Sequence, residues 1–219
     1  MINIALDGPA GSGKSTVAKT ISKKLDILYL DTGAMYRACG LKCLNEGVDV
    51  NDAENVEKVI KDIDLKIYYK DGAQVTCLDG KDVSTDIRKP EVSMLASTVS
   101  AHRSVRLKMV EMQREIASST DCVLDGRDIG SYVLPNAKYK FYVTADSKVR
   151  AERRYKELIE RGEKVDFDAL HQEIIQRDYN DSHRDFAPLV QAEDAILVDT
   201  SYMTVEEVVD KIISYIKEG

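Results

Sequence analysis

Long hydrophobic runs are missing from this chain of 219 residues. None approaches the roughly 20 apolar residues that a membrane helix needs, so no spanning segment is expected. No basic stretch backed by an apolar segment stands at the start, and a secretory leader is not expected either. Cysteine is sparse: Cys39, Cys43, Cys77 and Cys122 form no C-x-x-C pair, and the three histidines add no metal-ligand spacing. Cys39 and Cys43 stand four residues apart on an expected helix, where small buried side chains are the plainer reading. Positive charge is not in excess. The 31 Lys and Arg face 38 Asp and Glu, a net charge of −7, which argues against a general surface for nucleic-acid polymers. Internal repeats and low-complexity tracts are also lacking. These absences together lead us to expect a cytoplasmic protein with reduced thiols. What is present is 43% apolar and 32% charged residues, which suits one α/β domain with a real core and a well-solvated surface.

The start of the chain carries the strongest signal. The run Ile2-Asn3-Ile4-Ala5-Leu6-Asp7 ends in Gly8-Pro9-Ala10-Gly11-Ser12-Gly13-Lys14-Ser15-Thr16, which reads G-x-x-x-x-G-K-S. Val17, Ala18, Ile21 and Leu25 follow at helical spacing. Strand, glycine-rich loop and helix in that order make a P-loop. Its glycines let backbone N–H groups turn toward an anion, and the new helix points its positive end at the same place. Lys14 is expected to reach the β- and γ-phosphates of a nucleoside triphosphate, and Ser15 to offer its hydroxyl to Mg²⁺. The acidic net charge leaves room for a small nucleotide held by a few local arginines.

Further along, five short apolar strands alternate with helices: the first run, then 27–31, 122–125, 139–143 and 195–199. That alternation predicts a mostly parallel sheet covered on both faces. One stretch departs from it. Leu65–Tyr69 and Gln74–Leu78 flank Lys70-Asp71-Gly72, a hairpin signal, and Asp79-Gly80 marks a second turn. This antiparallel element makes residues 35–110 an insertion with soft borders. Helical spacing dominates 90–118, and the aspartates at 52, 146 and 166 are placed to cap helices.

Four groups of charged residues remain to be placed. Asp31-Thr32-Gly33-Ala34-Met35-Tyr36-Arg37 follows the second strand, where Thr32 and Arg37 either face an anion near the P-loop or belong to an ordinary capped helix. Asp125-Gly126-Arg127-Asp128 ends the third strand. Arg127 there suits a phosphate and Asp128 an amino group, with a loop ion-pair cluster as the plain reading. Asp125 suits a Mg²⁺-bound water or a buried arginine. Arg177, Asp181 and Arg184 share a helix face, which on a lone helix is a solvated stripe. As such a stripe, an exposed pair contributes only about 0.3–0.5 kcal/mol, so Asp181→Ala is expected to leave the melting temperature nearly unchanged. Arg150, Arg153, Arg154 and Arg161 suit either a lid over phosphates or a plain surface helix.

Taken together, these segments resemble a nucleoside monophosphate kinase, and within that group the bacterial-type cytidylate kinase family. The resemblance runs end to end. It rests on GPAGSGKS at 8–15, DTGAMYR at 31–37, the β-containing insertion at 64–83, Ser97, SVR at 104–106, DGRD at 125–128 and RDYNDSHRDFAPL at 177–189. It implies an α/β P-loop fold of three layers, with a five-stranded mostly parallel sheet, a small antiparallel sheet in the insertion, and an Arg-rich lid over 150–165. It also implies transfer of a phosphoryl group from ATP, with Mg²⁺, to CMP and dCMP by a monomeric enzyme. By the same resemblance Arg37 and Arg127 clamp the acceptor phosphate, with Thr32 where a serine is often found. Ser97, Arg106 and Asp128 read cytosine, Arg177 and Asp181 hold the sugar, and Arg184 contacts base or phosphate. Arg153, Arg154 and Arg161 fall where lid arginines belong. Ser15 stands where some relatives have Gly, which bears on direct contact with Mg²⁺.

Two other readings carry different expectations. A P-loop kinase of UMP, AMP or a shikimate-like acceptor would keep the loop and lid and lose the cytosine readers. A nucleotide-binding switch of the GTPase type would want an N-K-x-D motif, which the sequence lacks.

Overall fold

The computed structural model describes residues 1–218. In chain order the elements are β1 (Asn3–Asp7), α1 (Lys14–Leu25), β2 (Leu28–Asp31), α2 (Thr32–Asn45), α3 (Ala53–Lys61), β3 (Leu65–Lys70), β4 (Ala73–Leu78), β5 (Lys81–Asp82), α4 (Pro90–Val99), α5 (Arg103–Ser119), β6 (Cys122–Gly126), β7 (Tyr139–Thr144), α6 (Ser147–Glu160), α7 (Phe167–His183), β8 (Ile196–Asp199) and α8 (Val205–Glu218). They fall into two compact units: residues 1–29 with the chain from 120 onward, and residues 30–119.

The first unit is built on a five-stranded sheet in the order β2-β6-β1-β7-β8. Its strands are near-continuous apolar runs, as a sheet buried on both faces requires. Ile4, Leu6, Val123, Phe141, Val143 and Val198 form one core with Val17 and Ile21 of α1 and Val208, Val209 and Ile212 of α8. The parallel register pairs Asp7 with Gly126 on one side and with Tyr142 on the other. The strands therefore finish level, and the loops after β1 and β6 leave the sheet at the same edge. In an open α/β sheet that carboxyl edge is where ligands bind. A smaller apolar cluster joins Ala151 and Leu158 of α6 to Leu170 and Ile174 of α7.

The second unit carries the antiparallel sheet β3-β4-β5. Both of its turns are two-residue Asp-Gly loops: Asp71 and Gly72 have φ of 51° and 73°, and Asp79 and Gly80 have 50° and 77°. Positive φ at both central residues is the hairpin turn whose twist matches that of the strands, which is why Asp-Gly stands at each. The third strand, β5, is too short to show in the sequence. The helical run expected over 90–118 is broken at residues 100–102. There a His102 ring nitrogen lies 2.6 Å from the Val50 carbonyl, and Arg106 donates to the Ser100 carbonyl at 3.3 Å. The Arg106 side chain thus takes up the Ser100 carbonyl that the broken helix leaves, while His102 ties the break to the loop at Val50.

Candidate active site

The P-loop is anchored through its carbonyls. Lys14 Nζ donates to Pro9 O at 2.7 Å, Arg150 to Ala10 O at 2.9 Å, and Thr200 Oγ1 to Ser12 O at 3.0 Å. The loop's glycines are required by space as well as by conformation. Gly8 has φ of 145°, and a Cβ there would lie 2.0 Å from the Val143 carbonyl oxygen of β7. Gly13, with φ of 91°, closes the loop as the N-cap of α1.

Lys14 is 4% exposed. Burial, reinforced by the positive charge of Arg127, pushes its amine down to about 7, against the pull of Asp125 and Asp7. At the head of α1, Ser15 Oγ donates to Asp125 Oδ2 at 2.6 Å, and Tyr29 OH donates to the other Asp125 oxygen at 3.0 Å. Two oxygen donors, one ionisable, thus stand together beside the loop. Asp7, the last residue of β1, is buried as well. Burial pushes its carboxyl up to about 6, while hydrogen bonds from Gly130 N and Ile129 N work the other way.

The structure brings the DGRD segment and the α7 stripe together. Arg127 Nε donates to Asp181 Oδ2 at 2.8 Å, and Arg184 lies 3.5 Å from Asp128. Asp181 is only 8% exposed. Its carboxyl lies below the ordinary carboxylate range: burial raises it, but Arg127 beside it, together with Arg177 and Arg184, more than offsets that. For Arg127, burial alone would favour the neutral form, yet Asp181 holds it firmly charged. This corrects the expectation of a solvated stripe. Arg177 is exposed, but Asp181 and Arg184 turn into the first unit, so Asp181→Ala is not a silent surface change.

The arginines of α6 divide. Arg150 is buried. It holds Ala10 O and Ala145 O and pairs with Asp178 of α7. Arg153 binds Thr200, donating to its carbonyl at 2.6 Å. Arg154 makes only a partly exposed pair with Glu157 at 3.1 Å, and Arg161 is exposed at the end of the helix.

In the second unit, Asp31 caps α2 by accepting from Ala34 N at 2.9 Å and pairs with Arg37 at 2.9 Å. Gly33 is the residue this pair folds over, since a Cβ there would lie 3.1 Å from both Arg37 Nη1 and Asp31 Oδ1. The Arg37 Nε is buried without a hydrogen-bond partner among the described residues. Thr32 is buried in the first turn of α2, Ser97 is half-buried on α4, and Arg106 is buried with its guanidinium 5.2 Å from the Tyr36 ring centre. Gln74 of the hairpin accepts from Asp31 N at 2.8 Å and so ties β4 to the DTGAMYR segment.

No local pattern marks the supporting side chains. Asp7 and Thr200 sit in no motif, Asp178 lies within the 177–189 segment with no role assigned to it there, and Gln74 reads as one polar residue in a strand. Each acts on a loop far away in the chain, so no local spacing marks it. Among the described residues no cluster of His, Cys, Asp and Glu could hold a metal by itself, and the four cysteines are unpaired thiols. No described helix is long and apolar enough to cross a membrane.

Comparison with known proteins points one way. The sequence model of the family described as cytidylate kinase matches residues 4–218. A cytidylate kinase from Caldicellulosiruptor saccharolyticus is 50% identical over 212 residues, which cover 97% of this chain and 94% of that one. One from Halalkalibacterium halodurans is 46% identical over 217 residues, covering 99% and 98%. Among solved structures, a shikimate kinase from Bacteroides thetaiotaomicron aligns with a TM-score of 0.51 at 14% identity, over 99% of this chain and 98% of that one. At that identity the likeness is one of fold.

Proposed function

The chain belongs to the cytidylate kinase family, and from that premise we infer that it transfers the γ-phosphoryl group of ATP to CMP and dCMP, yielding CDP and dCDP. One observation carries the reading to this chain's own residues. The buried P-loop lysine feels the charges of Arg127 and Asp181 directly, so the triphosphate loop and the DGRD–α7 cluster form one electrostatic site. A donor phosphate on Lys14 and an acceptor phosphate on Arg127 would then share the positive charge of one site.

The residue roles follow from chemistry. Residues 8–16 bind the ATP phosphates through backbone N–H groups and Lys14. The buried, unpartnered Nε of Arg37 suits a phosphate oxygen, because a buried donor without an acceptor is costly. Arg37 and Arg127 therefore hold the acceptor phosphate, with Thr32 adjacent. Ser97, Arg106 and Asp128 read the base, Arg177 and Asp181 hold the sugar, and Arg184 steadies Asp128. A carboxylate at 128 accepts from the exocyclic amino group of cytosine, whereas the carbonyl of uracil would leave it facing another acceptor. Ser15 and Asp125 are hard oxygen donors of the kind Mg²⁺ takes while keeping several waters, and they would hold that ion. When bound, Mg²⁺ neutralises charge on the β- and γ-oxygens. No strong general base is required, since the acceptor phosphate is already largely ionised near neutral pH. Catalysis is then positioning plus charge stabilisation by Lys14 and the lid arginines.

The deciding experiment is a steady-state assay of ATP with CMP, dCMP, UMP and AMP. CMP and dCMP are expected to lead, with UMP behind them. AMP outperforming CMP would overturn the reading.

A lid over 150–165 rests on the position of Arg153, Arg154 and Arg161 beyond the fixed Arg150. Like charges on one short segment repel until phosphates arrive. Hydrogen exchange in α6 is expected to slow when a bisubstrate analogue binds, and equal protection with and without it would remove the lid.

A further inference from the structure

Asp128 stands where an aspartate ordinarily caps its own helical turn by accepting from that turn's first N–H groups. Here it makes no such bond with its side chain. Its backbone carbonyl accepts from Tyr132 N and Val133 N, each at 2.9 Å, and closes the turn over 129–133. The leading N–H groups of that turn, Ile129 and Gly130, donate instead to the two carboxylate oxygens of Asp7, both at 2.7 Å. Asp7 is 5% exposed and immediately precedes Gly8 of the P-loop. The fit around this contact is close. A Cβ on Gly130 would lie 3.3 Å from Asp7 Oδ2 and 3.1 Å from Lys140 Cδ. With the cap supplied from β1, the Asp128 side chain points to Arg184 at 3.5 Å.

We propose that Asp7 is a positioning residue for acceptor recognition. It caps the turn behind Asp128, relieves Asp128 of that duty, and locks the acceptor turn to the donor loop through one side chain. The proposal rests on the reading of Asp128 as the residue that tells cytosine from uracil. Its removal shifts selectivity for the acceptor, beyond any effect on ATP through the loss of its charge near Lys14.

Asp7→Asn tests this at constant size. A carboxylate accepts two N–H bonds, whereas an amide oxygen accepts one and its NH₂ opposes the other donor. We expect kcat/KM for CMP to fall about tenfold and the CMP-to-UMP ratio at least about fivefold, the ratio being the readout because losing the Asp7 charge near Lys14 weakens ATP for every acceptor alike. Asp128→Ala and the double variant run alongside. If Asp128→Ala collapses the ratio, Asp7→Asn does so too, and the double variant goes no further than Asp128→Ala, the proposal stands. If Asp128→Ala collapses the ratio and Asp7→Asn leaves it intact, the role of Asp7 is refuted while the reading of Asp128 survives. If Asp128→Ala leaves the ratio intact, the reading of Asp128 fails and Asp7's role falls with it. Should Asp7→Asn not fold, Gly130→Ala crowds the same contact and is expected to lower the ratio in the same way. An unchanged ratio in that variant overturns the proposal.

Discussion

Lys14→Ala is expected to lower turnover with ATP and CMP by at least about 100-fold, the usual cost of losing a charged contact that acts in the transition state. The structure adds a second signature. The unliganded amine is held down to about 7 by burial and by Arg127. A bound triphosphate brings negative charge to the same place and favours the protonated form, so ATP binding takes up a proton. Above about pH 7 the free enzyme carries less of the charged amine, and affinity for ATP falls as pH rises. Lys14→Ala has no such group, and its pH dependence over that range should flatten. Calorimetry of ATP binding in two buffers of different ionisation enthalpy measures the uptake directly. Near-normal turnover in the variant would remove Lys14 from the chemistry. Proton uptake that persists without Lys14 would assign the low-lying group elsewhere.

Asp181→Ala should be damaging on two counts. Its carboxylate receives Arg127 Nε at 2.8 Å, and both side chains are largely buried. Truncation leaves a buried guanidinium without its counter-charge, a loss of about 2 kcal/mol for an unsatisfied polar group. For a chain of this size that lowers Tm by roughly 4–8 °C. It also loosens Arg127, and with it the acceptor phosphate, so kcat/KM for CMP should fall at least about tenfold, or ~1.4 kcal/mol of transition-state binding. The pH dependence of stability has a definite sign. The folded carboxyl lies below its ordinary 3.8. Its contribution is therefore present above about pH 4 and disappears as pH falls through the folded value. The gap in Tm between wild type and variant should close in strong acid. A variant that matches wild type in both Tm and kcat/KM would return Asp181 to the solvated stripe that its spacing alone suggests.

The two variants separate the halves of the site. Lys14 acts on the donor, and its loss should be felt with every acceptor alike. Asp181 acts on the acceptor, and its loss should be felt chiefly in acceptor binding, with a smaller loss for ATP through its charge on Lys14. Thr200 and Arg150 belong to a third class. They hold the carbonyls of Ser12 and Ala10 from outside the loop and give the P-loop its fixed shape before any nucleotide arrives.

Much of this protein was determined by the chain itself, because the signals are local. The P-loop needs only strand, glycines, lysine and helix in immediate succession, and all are contiguous over residues 3–25. The two Asp-Gly hairpin turns are equally local, since positive φ at two adjacent residues is a demand those residues meet by themselves. The five strands of the main sheet show as apolar runs because a doubly covered sheet buries both faces of each strand. The break at residues 100–102 was hidden, because the Ser100 carbonyl is met by the Arg106 side chain and His102 is held by the distant carbonyl of Val50. For the charged groups, spacing could place Arg177, Asp181 and Arg184 on one face of α7, but could not say whether that face met water or Arg127. Helical spacing likewise put Arg150 on one face with Arg154 and Arg161, yet only packing under the P-loop sets Arg150 apart. The link from Asp7 to Ile129 and Gly130 spans more than half the chain, and no local pattern encodes it. Whether a charge is solvated or buried against a partner depends on which distant segment comes to cover it. That is settled when the strands align and their loops emerge together, and so by the tertiary structure alone.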